Sequence, residues 1–251
     1  MPGISVPRRL RLVILLALVL LQAAVLALQP ALNDYNARLA GLNAQIPAVT
    51  ASAQQAAETF LAHPEAQLCV PYWEQMSFAE EMINRSGGLA LAGQAGGTGR
   101  ASRYNFVLLS VRSWEKNAEL MRRRVKEYRA NGWTVTVIGS KAGCPKNLGA
   151  DFFIDNGAPS GKATLGRINV LANVTLGWMW CCEYAAALSR HGKFPAILQS
   201  ICIPGATEYD RSVQSAQGRH TLADSPKAIP AGELSARYLQ RVDTLMADLQ
   251  S

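Results

Sequence analysis

The stretch Asn105 to Gly132 (NFVLLSVRSWEKNAELMRRRVKEYRANG) narrows the choice of folds more than any other part of this chain. Phe106 to Leu109 is a short apolar run, as expected of a strand buried on both faces of a parallel sheet. Ser110-Val-Arg-Ser113 breaks the run, and Ser113 is a favourable N-cap with Glu115 in the first turn behind it. Ala118, Met121, Val125 and Tyr128 follow at spacings of three, four and three, which is one helical face. Asn131-Gly132 ends the helix, because glycine tolerates the left-handed conformation a C-cap needs. Trp133 to Ile138 (WTVTVI) is then a second strand. The unit is β-α-β, with a serine-rich turn at the carboxyl end of its first strand, where a helix N-terminus offers free N–H groups to an anion.

The rest of the chain extends that pattern. Short strands are predicted at 67–70, 105–109, 133–138, 151–155 and 196–203, separated by helices near 78–84, 114–130 and 164–190. A closing helix is marked by Leu234, Tyr238, Val242, Leu245 and Leu249. Strands alternating with helices predict an α/β fold with a parallel sheet covered on both faces, of the doubly wound type. The helix at 164–190 is apolar nearly all round, so it must be enclosed by the sheet layer or by a subunit contact. The segment 204–231 is long, polar and irregular, a pattern of functional or disordered loops. Gly93 to Arg103 contains several glycines but follows no predicted strand directly, and reads as a surface loop rather than a nucleotide fingerprint.

The organisation is read as three parts: 1–28 outside the fold, an N-terminal helical segment at 29–65, and an α/β domain at 66–251. Arg8, Arg9 and Arg11 precede an apolar run of 17 residues, Leu12 to Leu28, interrupted only by Gln22. That run is at the lower edge of a spanning helix and slightly long for a signal peptide. Cleaved signal and retained anchor both fit, Val25-Leu-Ala27 being an acceptable cleavage site. Either way the remainder of the chain is expected to be exported, with any membrane contact through residues 12–28. Leu32, Tyr35, Leu39, Leu42 and Ile46 form a helical seam ending at Pro47, with a second, alanine-rich helix at about 51–61. The seam fits a subunit contact or the domain's own surface. With the apolar helix 164–190 it leads to the expectation of a homodimer.

A net charge of +7 comes from scattered basic residues, apart from Arg8-Arg9-x-Arg11 and Arg122-Arg123-Arg124. The second cluster reads as the solvated face of a helix, and no basic-aromatic interleaving points to nucleic acid. The five cysteines include no C-x-x-C pair, and Cys181-Cys182 are adjacent in a helical pattern that would strain a bond between them. Cys69 and Cys202 fall in predicted strands and read as small buried residues. His63, His191 and His220 have no ligand spacing, so neither a metal nor a cofactor is expected.

Three stretches resemble the SIS (sugar isomerase) domain, a flavodoxin-like fold that binds phosphosugars. They are FVLLSVRSWEKNAELMRRRVKEYRANGWTVTVIGS, GADFFID ahead of a long helix, and CEYAAALSRHGKFPAILQSICIPGATEYD with the later IPAGELSARYL. The resemblance runs over about residues 31–250, and its tail is similar to the subgroup of phosphosugar-binding proteins. It implies a flavodoxin-like doubly wound five-stranded parallel sheet with N-terminal helices, and a sugar phosphate or other anionic sugar as ligand. In the family the phosphate loop commonly reads Ser-x-Ser-Gly; here Ser110 and Ser113 stand one residue further apart, and Trp114 occupies the place of a small residue. The family's first loop, Gly-x-Gly-Ser, is replaced by Tyr72-Trp-Glu-Gln-Met-Ser77. Both changes make the pocket bulkier and admit a different ligand.

Aldose–ketose interconversion needs a carboxylate or imidazole to move a proton between neighbouring carbons, and groups that hold the substrate's anion. Glu183, in the apolar context WMWCCEYAAAL, is the first candidate base; its structural alternative is an ion pair with Arg190 or Arg167. Glu74 is the second candidate base, and its alternative is a helix-capping role beside Ser77. Ser77, Ser110, Ser113 and Ser140, with the N–H groups at Trp114 to Lys116, are the candidate ligand-binding set, and Trp114 is a candidate stacking face for a sugar ring. Two functions fit these residues: a sugar-phosphate isomerase, or a non-catalytic exported protein that binds a sugar or anion or has a structural role.

Overall fold

The computed structural model describes residues 29–72, 75–93, 102–158, 166–215 and 221–250. Its centre is an α/β arrangement in which five parallel strands lie in the order β2-β1-β3-β4-β5. They are β1 (Leu68–Cys69), β2 (Ala92–Gly93), β3 (Phe106–Ser110), β4 (Thr134–Gly139) and β5 (Phe152–Asp155). Alternate residues of β3 and β4 face opposite ways, as the pleat requires. Phe106, Leu108 and Ile138 enter one buried cluster, and Val107, Leu109, Val135 and Val137 enter another.

The first face is covered by α2 (Ile46–Ala62) and α5 (Gly166–Arg190), and the second by α4 (Trp114–Ala130). A first helix, α1, spans 29–43, and Pro47 opens α2, where its missing N–H costs nothing. Behind α5 lie α3 (Met76–Asn84) and α7 (Glu233–Gln250). The α5 residues Ala172, Leu176, Met179, Trp180, Tyr184 and Leu188 are all buried within the chain. Trp180 stacks on Tyr184 and donates its indole N–H to Ser52 of α2 at 2.8 Å, and Ser52 shares a 2.7 Å hydrogen bond with Thr136 of β4. Helix, helix and sheet are thus pinned through one buried polar line. Tyr35, Leu39 and Leu42 of α1 also pack into this core. Both seams that suggested a dimer are therefore consumed inside one protomer.

The β-α-β unit folds as its pattern dictates. Met121 and Val125 are buried in the second cluster with Ala118 and Tyr128 beside them, and Gly132 takes a φ of 80°. A Cβ there would also stand 3.1 Å from Arg103. Arg122, Arg123 and Arg124 lie on the outer face and pair with Glu119 or Glu127.

The strand expected at 196–203 does not join the sheet; β2, unforeseen in the sequence, supplies the fifth position. Ala196 to Leu198 instead runs antiparallel to 87–90, through Gly87 N–H to Leu198 O (2.8 Å) and Leu198 N–H to Gly88 O (2.9 Å). An apolar run without alternation does not say which edge will pair with it. Ser200 to Gly205 then turns on the surface, leaving Ile201, Cys202 and Ile203 exposed, so Cys202 is not the buried strand residue its neighbours suggested. All five cysteines are free thiols. The segment 204–231 holds more order than its composition implied: α6 (Ala206–Val213), and β7 (Leu222–Asp224) paired antiparallel with β6 (Lys193–Pro195). The glycine-rich stretch at 94–101 and the N-terminal 1–28 lie outside the described residues.

Gly177 sits where α5 crosses α3. A Cβ at this position would lie 2.7 Å from the Phe78 ring and 2.8 Å from the Met82 sulfur. Gly177→Ala gains about 1 kcal/mol in helix propensity but overpacks a closed contact, which costs about 1–3 kcal/mol. We expect net destabilisation by about 1 kcal/mol in urea unfolding; a more stable variant would mean that the two helices separate freely.

Candidate functional site

The strand order reverses between β1 and β3, since the chain goes from β1 out to β2 and returns to β3 on the other side. At such a reversal the loops leaving the carboxyl ends of the two strands diverge and open a crevice. Pro71 ends β1, because it has no N–H to give to a neighbouring strand. Gln75 takes the N-cap position of α3. Across the crevice, β3 ends at Ser110, and Ser113 starts α4 with an extended backbone (φ −152°, ψ 134°).

The crevice floor is a buried net of uncharged side chains. Ser110 Oγ donates to Gln75 Oε1 and accepts from Asn173 Nδ2 at 2.9 Å. The same Asn173 amide reaches Gln75 Oε1 at 3.1 Å and Val111 O at 3.0 Å. Two hydrogens therefore serve three acceptors, so at least one is shared. Asn173 Oδ1 accepts from Asn156 Nδ2 at 2.7 Å, and Asn156 Oδ1 accepts the Ala158 N–H at 2.9 Å. The net joins the ends of β3 and β5 and the start of α3 to α5. Ser140, just past β4, is buried beside it and shares its one hydroxyl hydrogen between Ala158 O and Ala142 O.

Trp114 is only 7% exposed. Its ring packs on Phe153, and its Nε1–H donates to Ser140 O at 2.6 Å. It is a core residue of the second face and ties the α4 start to the loop after β4; no open face is left for a sugar. Ser77 is exposed on the first turn of α3, outside the net. Ser113 is the N-cap by backbone position, yet its hydroxyl makes no capping hydrogen bond. Glu74 lies outside the described residues.

Glu183 stands elsewhere. It is ten positions beyond Asn173 on α5, about 15 Å down a helix, and it is fully buried. Its Oε2 accepts the Gly232 N–H at 2.8 Å, its Oε1 accepts the Ser235 N–H at 3.0 Å, and the Thr50 hydroxyl donates to Oε2 at 3.3 Å. Three donors and the positive end of the α7 dipole offset a desolvation cost of several kcal/mol. Glu183 thus caps α7 from another helix. Arg190 does not hold it among the described residues but reaches Gln54 and Ile229 O instead; the Arg167 side chain lies outside the described ones.

Several residues at the crevice were not singled out from the sequence: Gln75, Asn156, Asn173 and Arg38. Asn173 had a signal, a lone amide inside an otherwise apolar helix pattern. Arg38 had one too, since it occupies the i+3 position of the seam Tyr35, Leu39, Leu42. Its side chain is 5% exposed and lies 2.8 Å from Asp34, and Nη1 donates to Asn169 Oδ1 at 2.7 Å. Asn169 in turn donates to Arg112 O at 3.1 Å, in the loop between β3 and α4. Arg38 Nε and Nη2 find no hydrogen-bond acceptor, the contact with Asp34 being poorly directed. A buried guanidinium, ion-paired with Asp34, is thus linked through Asn169 to the backbone of the loop that precedes α4.

Neither thiol near the strand ends is an activated nucleophile. Burial pushes the Cys69 thiol up to about 12, and burial with the nearby Asp155 charge raises that of Cys144. Among the described residues no cluster of histidine, cysteine and carboxylate groups has the geometry of a metal site. No family model and no curated protein matches the chain.

Glu183→Gln is expected to lower stability by about 2 kcal/mol, on the order of 5 °C in Tm. Glutamine keeps one acceptor oxygen and turns an amide toward the second backbone donor. The check is thermal unfolding of the variant beside Glu183→Asp; an unchanged Tm for glutamine would show that the α7 start does not depend on this carboxylate.

Proposed function

We propose that this chain is a non-catalytic binding protein for an anionic sugar, built on a flavodoxin-like, SIS-like frame and carried out of the cytoplasm by its N-terminal segment. The observation that supports this most is the start of α4 at the β1/β3 crevice, with the Ser113 hydroxyl unspent. A helix N-terminus carries about half a positive charge and free N–H groups, which suit a phosphate or carboxylate. Arg38, ion-paired with Asp34, braces the loop before α4 through Asn169. Gln75, Ser110 and Asn173 form an uncharged polar floor to the crevice whose hydrogen bonds are made within the protein, so the ligand's anion is assigned to the α4 start.

The non-catalytic part rests on what the floor is made of. Proton transfer between sugar carbons needs a titratable group within hydrogen-bond reach. Gln75, Ser110, Asn156 and Asn173 supply none, and both oxygens of Glu183 are committed to α7. An isomerase would draw its base from outside this floor, with Glu74 as the sequence's candidate.

Two measurements test the reading. Calorimetric titration with glucose 6-phosphate, glucose and inorganic phosphate should give heat of binding for the sugar phosphate, more weakly for phosphate alone. Ser113→Ala should bind glucose 6-phosphate about tenfold more weakly, the worth of one hydrogen bond to a charged group. Its Tm should stay near that of the parent, because no cap bond is lost. Parent-like affinity in Ser113→Ala, or no binding by the parent, refutes the site. Turnover of glucose 6-phosphate to its ketose isomer that vanishes in Glu74→Gln would establish the isomerase instead.

Asn173→Ala probes the floor itself. It removes the donor to three acceptors and the acceptor for Asn156. Stranding buried groups costs about 1–3 kcal/mol each, and partial relaxation leaves an expected loss of roughly 3 kcal/mol in chemical unfolding. A loss below about 1 kcal/mol would mean that water replaces the amide and that the crevice is already wet.

A further inference from the structure

The two ends of the described chain meet at one end of the molecule. Ile46 Cγ2 stands 3.0 Å from where a Cβ on Gly232 would be, which places the end of α1 beside the start of α7. Further along, Asn36 and Ala40 of α1 and Ala236 and Gln240 of α7 line a common groove of 790 Å³. The helices are therefore side by side and antiparallel. Residue 29 lies 14 positions before the end of α1 at 43, about 21 Å at the helical rise, and Leu249 lies 16 positions past Glu233, about 24 Å. The first described residue is thus level with the last turn of α7.

That turn carries an exposed apolar pair. Met246 faces the core, whereas Leu245 and Leu249 are 58% and 59% exposed, one helical turn apart. Arg241 is exposed one turn further back on the same side. Immediately before residue 29 runs the apolar segment Leu12 to Leu28. We propose that this end of the molecule rests on a phospholipid bilayer, with Leu245 and Leu249 inserted at the headgroup level beside the point where residues 12–28 enter the same bilayer.

The choice of a bilayer over a second copy follows from area and tethering. A stable dimer buries about 800 Å² on each partner, and two half-exposed leucines fall far short of that. They are also too few to hold a free protein on a membrane. The proposal rests on the reading of residues 12–28 as a bilayer segment, which would make the second contact intramolecular and raise its effective concentration. Arg241 then stands at the depth where a long basic side chain reaches the polar headgroups. Asp243 and Asp248 are exposed on the same two turns, which disfavours an anionic surface and points to zwitterionic lipid.

The test uses the full chain in phosphatidylcholine vesicles that contain a diazirine-bearing phosphatidylcholine. After illumination, tryptic cleavage after Arg241 releases Val242–Ser251, whose lipid adducts are read by mass spectrometry. Adducts are expected on residues 12–28 and on 242–251. In Leu245→Gln/Leu249→Gln the first set should persist and the second fall severalfold; glutamine is a good helix former, so α7 is retained. Adducts on 12–28 alone in the parent overturn the proposal, as does their absence from both peptides. Cross-links between the α7 helices of two chains, with no lipid on 242–251, overturn it in favour of a second copy. None of these outcomes depends on whether the crevice binds a sugar.

Discussion

The structure depends on enclosing α5. A 25-residue helix that is apolar on all sides cannot lie on a surface. It needs a sheet on one side and helices on the others, and the chain supplies β4, α2, α3 and α7. The contacts are close enough that Gly177 leaves no room for a methyl group against Phe78 and Met82. Because α5 is enclosed, each polar group on it must find a partner inside the protein. Asn173, Thr175, Glu183 and Ser189 all do, and those partnerships reach every neighbouring layer.

Two of these groups divide the molecule's work. Asn173, near the start of α5, closes the floor between β1 and β3 and sets the crevice that faces the α4 N-terminus. Glu183, ten positions on, holds the first turn of α7 and thereby the wall against which α1 packs. One helix therefore fixes both the candidate ligand site and the end of the molecule where the apolar N-terminal segment departs. The chemistry differs because the surroundings differ. An amide with two donors and an acceptor can bridge several loops, whereas a buried carboxylate is stable only where donors converge on it.

Trp114 shows how a ligand-facing position in a pattern becomes a packing position in a fold. At a helix start beside a serine-rich loop, an indole looks available for stacking. Its ring is drawn under the loop after β4 because burying it against Phe153, with its N–H on Ser140 O, leaves no unpaired donor. The consequence is an α4 start fastened to the loop after β4, with Ser113 half-buried at its N-cap and Arg112, Glu115 and Lys116 exposed around it.

Much of the frame was legible in the sequence: the β3-α4-β4 unit, the burial of α5, the closing helix and the parallel character of the sheet. Each is a local pattern, a hydrophobic period joined to a cap or a glycine, and such patterns act through the residues that display them. Three features were decided by tertiary structure alone. Ala92–Gly93 is a strand only because β1 lies open beside it, and Ala196 to Leu198 leaves the sheet because 87–90 offers it an edge. The role of Glu183 was set by where Gly232 and Ser235 come to rest, about 50 positions away in the chain. An isolated carboxylate in an apolar helix says that a partner must exist; only the folded chain decides whether that partner is a substrate proton, an arginine or the end of another helix.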